Sequence, residues 1–137
     1  MVRDFLPGHS AVMQVFLVED SVMVRERLES LLAEIPGTQI VGRAAGAEAA
    51  IRDILLTRPD LVVLDVQLAE GSGFTLITRC AKEPSGEVLV FSDFVTPAVR
   101  QRCLRLGASG VISKGQFGEL RAWLQAFPGR VQQAQEA

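Results

Sequence analysis

Four short apolar runs in this chain each lead into residues able to do acid–base, phosphate or metal chemistry. Residues 14–18 (QVFLV) run into Glu19 and Asp20, and 61–64 (LVVL) into Asp65. Residues 88–91 (VLVF) lead to Ser92 and Asp93, and 110–113 (GVIS) to Lys114. Carboxylates gathered at one place repel: two unit charges about 5 Å apart cost roughly 3 kcal/mol at an effective dielectric near 20. A hard divalent cation removes that cost, and an oxygen-only cluster suits Mg²⁺, which keeps waters and shares substrate phosphate oxygens. Such a site supports phosphoryl transfer. A carboxylate can itself be the nucleophile and become an acyl phosphate. A lysine can pair with phosphoryl oxygens while a hydroxyl donates a hydrogen bond to one. The set reads as an aspartate that accepts a phosphoryl group.

These residues act together only if one sheet gathers them. The first run is apolar from Val15 to Val18, as in a strand buried on both faces. Ser21 can cap a helix whose apolar stripe is Val24, Leu28, Leu31, Leu32 and Ile35, ended by Pro36-Gly37. A second strand over 39–44 and a helix over 47–56 follow, the helix stopping before Arg58-Pro59. The third strand, 61–64, leads through a loop with Gly71, Ser72 and Gly73 to a helix near 74–82, broken by Pro84, Ser85 and Gly86. A fourth strand, a helix from Pro97 to Leu106-Gly107, a fifth strand and a last helix over 117–127 complete the series. Pro128-Gly129 is expected to stop that helix, with a frayed tail after it. Strands alternating with helices predict a doubly wound α/β fold: a five-stranded parallel sheet flanked by five helices. In such sheets ligands bind beyond the C-terminal strand ends, where these residues lie.

Composition narrows the chemistry further. A chain of 137 residues, 48% hydrophobic, is one domain able to bury its own core. With 14 basic and 16 acidic residues, its net charge of −2 gives no electrostatic reason to expect nucleic acid. No apolar run approaches the roughly 20 residues of a membrane helix. The single histidine, His9, precedes the first strand, which speaks against a Ser-His-Asp or Cys-His site. Cys80 and Cys103 form no CxxC pair and read as free, packed thiols of a reducing, cytoplasmic compartment. Arg100, Arg102 and Arg105 read as a solvated helix face.

In order and spacing, FLVED (16–20), LVVLDVQLAEGSGF (61–74), VLVFSD (88–93) and GASGVISKG (107–115) resemble the motifs of response-regulator receiver domains, which have a flavodoxin-like fold. The resemblance covers residues 14–127, between an N-terminal arm (1–13) and a C-terminal tail (128–137). It implies that Asp65 is phosphorylated, that Ser92 is the switch hydroxyl and that Lys114 pairs with the phosphoryl group. It implies a Mg²⁺ site of Glu19, Asp20, Asp65 and the Gln67 backbone carbonyl. The implied partners are a histidine kinase or phosphotransfer protein and a downstream protein docking on the fourth helix, fifth strand and fifth helix. A second copy of the chain is also open as a partner; nucleic acid and membrane are not expected.

The chain departs from the family pattern at several positions. The proline usual four residues after the acceptor is Ala69, and Asp93 replaces a small residue after the switch hydroxyl. Val111 stands where the family has an aromatic switch residue, and Gly115 where proline follows the lysine. Gly73 matches a family glycine, and a turn with positive φ would explain it equally. The expected role is a phosphoryl-accepting receiver, stand-alone or part of a longer transcriptional regulator, with no enzymatic turnover beyond its own phosphotransfer and dephosphorylation. The stretch 36–51 is similar to receivers that precede DNA-binding domains. A degenerate receiver binding partners without phosphorylation is the alternative. An aspartyl phosphohydrolase is third, because Gln67 stands where that chemistry wants a second acid.

Overall fold

The computed structural model describes residues 13–82, 87–93 and 95–136, with the backbone alone over 128–136. The arm before Met13, the Pro84-Ser85-Gly86 break and Phe94 lie outside the described residues. Five strands alternate with five helices: β1 (Met13–Val18), α1 (Val22–Ala33), β2 (Thr38–Ala44), α2 (Ala47–Thr57), β3 (Leu61–Leu64), α3 (Gly73–Ala81), β4 (Glu87–Ser92), α4 (Pro97–Leu106), β5 (Gly110–Ser113) and α5 (Phe117–Glu136). All pairings are parallel, in the order β2-β1-β3-β4-β5. The fold expected from the sequence is therefore the fold observed.

Alternation along the strands sends side chains to two separate cores. Val15, Leu17, Leu61, Val63, Leu89, Phe91 and Ile112 pack with Leu28, Leu31 and Leu32 of α1 and Leu120, Leu124 and Phe127 of α5. Phe16, Val18, Val62, Leu64, Val88, Val90 and Val111 pack against α2, α3 and α4 on the other face, where buried Cys80 and Cys103 are free thiols. Helices cover both faces, so β1, β3 and β4 are mostly buried apolar runs, while β2 at the sheet edge (TQIVGRA) is largely half-buried. The two faces exchange roles at the β1/β3 boundary: α1 crosses on one side and α2 on the other. That boundary is where Glu19, Asp20 and Asp65 emerge.

Local chemistry sets the helix ends. Ser21, Ser72 and Thr96 each accept a backbone N–H of the helix they precede, and Pro97 occupies a first-turn position where no amide is missed. Helix α4 ends on Gly107 at φ 115°. Gly42 on β2 leaves the space that the Phe16 ring fills. Helix α5 departs from expectation. It continues through Pro128-Gly129 to Glu136. Pro128 forfeits one intrahelical amide bond, at a cost of about 3 kcal/mol. That penalty is local, and the Gln- and Ala-rich stretch beyond it consists of good helix formers. None of the described helices is long and apolar enough to cross a membrane.

Candidate functional site

The C-terminal ends of β1, β3 and β5 bring two carboxylates and an ammonium into direct contact. Lys114 Nζ lies 2.7 Å from Asp65 Oδ2 and 3.0 Å from Glu19 Oε1. Its distance to Glu19 Oε2 is 3.2 Å, so the ammonium spans both oxygens of Glu19. Glu19 and Asp65 are among the few buried polar residues, at 2% and 4% exposure. The Lys114 amide donates to the Ser92 carbonyl (3.0 Å), which fixes where the lysine leaves β5. The positive charge that relieves the Glu19–Asp65 repulsion is thus the ammonium itself.

Burial raises the Glu19 carboxyl above its ordinary pKa, although the Ser21 N–H and Lys114 favour its ionised form. For Lys114 burial acts downward, and the hydrogen bonds to Asp65 and Glu19 outweigh it, leaving the ammonium pKa above 10.5. Asp65 Oδ1 accepts the Gln67 N–H at 2.9 Å. Both oxygens of the candidate acceptor are therefore held.

The β3–α3 loop is tied at further points. The Gly73 N–H donates to the Val66 carbonyl (3.4 Å) in the small bridge formed by Gln67 and Ser72. The Ala47 N–H, an orphan donor of the α2 N-terminus, donates to the Glu70 carbonyl at 3.0 Å. Gly71, at φ 80°, lies against the Ala47 side chain. Gly73 is needed for a different reason from a positive φ, which it does not have. Any Cβ there would run into the Asp65 carbonyl oxygen and Val66 Cα. The glycine lets α3 start against the acceptor's own backbone.

The expected metal-binding set is only partly gathered. Asp20 is exposed, and its Oδ2 accepts the Ala69 N–H at 2.8 Å across the mouth of the site. Among the described residues no three Asp, Glu, His or Cys side chains are arranged to hold a metal ion. Lys114 contacts both Glu19 and Asp65, and Asp20 Oδ2 is engaged by the loop. The donor chemistry nonetheless fits a hard cation, because every candidate ligand is an oxygen. Ser92 ends β4 fully buried, and its Oγ has no hydrogen-bond partner among the described residues. A buried hydroxyl left unpaired is costly, and one at a strand end invites an incoming acceptor. Asp93 beside it is exposed.

Two residues read as solvated from sequence have partners. Arg100 donates from Nη1 to the Val111 carbonyl (2.9 Å), and the Arg102 guanidinium stacks 3.8 Å from the Phe74 ring centre. These contacts join α4 to β5 and α3. They offset its sparse apolar anchoring, since Cys103 is its only buried residue. Nothing local in the sequence marks such pairs.

The response-regulator receiver model matches residues 15–125. A protein-glutamate methylesterase/protein-glutamine glutaminase of Anaeromyxobacter dehalogenans is 31% identical over 118 residues, covering 84% of this chain and 33% of its own length. Its counterpart in Syntrophus aciditrophicus is 35% identical over 106 residues, covering 75% and 30%. This chain thus spans about a third of the length of these curated relatives. Among solved structures, a LuxR-family two-component response regulator from Aurantimonas sp. aligns with TM-score 0.80 at 28% identity, over 87% of this chain and 86% of that one. The response regulator domain of Thermotoga maritima CheB shares the fold, with TM-score 0.77 at 22% identity over 92% and 98%. With five parallel strands in this order, an acidic switch point and a family match across nearly all of the sheet, this chain belongs to the response-regulator receiver domains.

Proposed function

We propose that this receiver accepts a phosphoryl group on the carboxylate of Asp65 from a phosphohistidine of a histidine kinase or phosphotransfer protein. In that step the P–N bond to the histidine breaks and a P–O bond to Asp65 forms. The observation that carries the reading is the buried Asp65–Lys114–Glu19 contact at 2.7 and 3.0 Å. It holds one carboxylate at the mouth of the sheet with a cation ready to follow the phosphoryl oxygens. Glu19, Asp20, Asp65 and the Gln67 carbonyl would hold Mg²⁺, which when bound supplies charge neutralisation for the transferring group. The Ser92 hydroxyl, without a hydrogen-bond partner among the described residues, donates to a phosphoryl oxygen. Exposed Asp93 places a further negative charge beside this path and slows anionic donors.

Phosphorylation adds charge and acceptor oxygens at the strand ends. It draws Ser92 and the segment before α4 toward the site, and the α4–β5–α5 face transmits the change to a downstream protein. Val111 is buried at 3% exposure and carries no ring to swing, so the population shift is shallower than a rotating aromatic would give. The same receiver serves either alone or within a longer regulator. The degenerate alternative, binding without phosphorylation, draws on Asp93, Val111 and the Asp20 contact to Ala69.

Acetyl phosphate with Mg²⁺ should add one phosphoryl group to the wild type, read by intact-protein mass spectrometry, and none to Asp65→Asn. Without Mg²⁺ the labelling should fall away. An unlabelled wild type whose fold is intact would leave the binding module as the function, and rapid turnover of a phosphomonoester would point to a hydrolase.

A further inference from the structure

Two amides of the β3–α3 loop donate to carboxylates of the candidate ion site: Gln67 to Asp65 at its own strand end, and Ala69 to Asp20 at the end of β1. Asp20 leaves β1 beside Glu19, whose carboxylate is occupied with Lys114 and the Ser21 N–H. Asp20 is exposed and spends Oδ2 on the Ala69 N–H at 2.8 Å. Asp65, the other exit carboxylate, is already held by Lys114 and the Gln67 N–H. Asp20 is thus the exit carboxylate whose described hydrogen bond runs to the loop backbone and not to Lys114.

We infer that the Ala69 backbone N–H competes with a divalent cation for Asp20, so that ion entry unlatches the outer corner of the β3–α3 loop. This rests on the reading of Asp20 as an ion ligand given above. In the latched state the N–H donates to the carboxylate, a charge-assisted bond. When the carboxylate turns to the ion, the N–H passes to water. The exchange costs the ion part of its binding energy, because the latch must be broken first.

The movement has bounds. Beyond Ala69 the loop is pinned by the Ala47 N–H on the Glu70 carbonyl, by Gly71 against Ala47 and by the Gly73–Val66 bond. Before it, the Gln67 N–H stays on Asp65. Release is therefore confined to residues 68 and 69, next to the Gln67 carbonyl that would complete the ion site. An ion signal appears there, on the solvent-facing rim of the acceptor, before any phosphoryl group arrives.

The test compares Mg²⁺ titrations of the intact chain by calorimetry with backbone amide NMR. A charge-assisted but exposed hydrogen bond sets the expected scale. Ala69→Pro, which has no N–H to give, should bind Mg²⁺ roughly three- to tenfold more tightly than the wild type. Ala69→Gly, which keeps the donor, should stay with the wild type. In the wild type, the Ala69 amide should shift and exchange faster in step with Mg²⁺ saturation while the Ala47 amide stays protected. Should Ala69→Pro fold poorly, the two wild-type amides decide alone. Saturable Mg²⁺ binding with an unmoved Ala69 amide overturns the latch and leaves the ion site standing. Absence of any Mg²⁺ binding to the wild type overturns both.

Discussion

Replacing Lys114 with methionine keeps the aliphatic stem and removes the charge, which leaves Glu19 and Asp65 facing each other almost without solvent. At an effective dielectric near 20, contacts of 2.7 and 3.0 Å are each about 6 kcal/mol of gross attraction. Desolvation of the ammonium and the carboxylates' mutual repulsion cancel part of that. Breaking a buried pair by removing one partner usually costs about 3–5 kcal/mol, and we expect Lys114→Met to lose about that much at neutral pH. The loss should depend on pH. Glu19 already has a raised pKa in the fold, and losing Lys114 removes two influences that lower it. A carboxyl whose folded pKa exceeds its unfolded value of 4.5 is destabilising once ionised, so stability falls as pH rises through that window. The variant should therefore approach the wild type near pH 4.5 and diverge from it towards neutrality. At the alkaline end the sign is the opposite one. The raised Lys114 pKa gives the wild type stability that is full below 10.5 and is lost as pH climbs through the folded value. The variant lacks that limb, and the chain has no tyrosine to obscure it. Urea unfolding followed by the fluorescence of Trp123, which stacks on Phe127, reads both effects. A difference below about 1 kcal/mol at neutral pH, or one that does not change with acidity, would refute the buried-pair reasoning.

Two other substitutions test how the site is supported. Gly73→Ala drives a Cβ into the Asp65 carbonyl and Val66, and should cost about 1–3 kcal/mol in urea unfolding while slowing acetyl-phosphate labelling of Asp65; a fully stable, normally labelled variant would show that the close approach is unimportant. Arg100→Ala withdraws the donor from the Val111 carbonyl, with an expected loss of about 1 kcal/mol and faster amide exchange along α4; unchanged exchange would mean that apolar contacts alone hold this helix.

Much of this molecule is legible in its sequence because strands buried on both faces leave an unambiguous trace. The runs at 14–18, 61–64, 88–91 and 110–113 can only be covered from two sides, which requires helices between them. The residue following each run is then committed to one edge of the sheet, so Glu19, Asp20, Asp65, Ser92 and Lys114 could be assigned to that edge before any contact was known. Helix stops at Pro36-Gly37, Arg58-Pro59 and Gly107 were equally local. The stop at Pro128-Gly129 was not: a proline penalty is a finite local cost, which a helix-forming continuation can outweigh. What the sequence hides is pairing across distance. Lys114 meets residues 49 and 95 positions away, and Asp20 meets Ala69 across 49. Register and loop length select those partners, and neither leaves a periodic signal. Gly73 shows the same limit in miniature, since its neighbours and not its own backbone angles exclude a side chain. The strand ends thus determine which groups meet, while the contacts across distance determine how each is held: Asp20 by the Ala69 amide, and Asp65 and Glu19 by the ammonium they share.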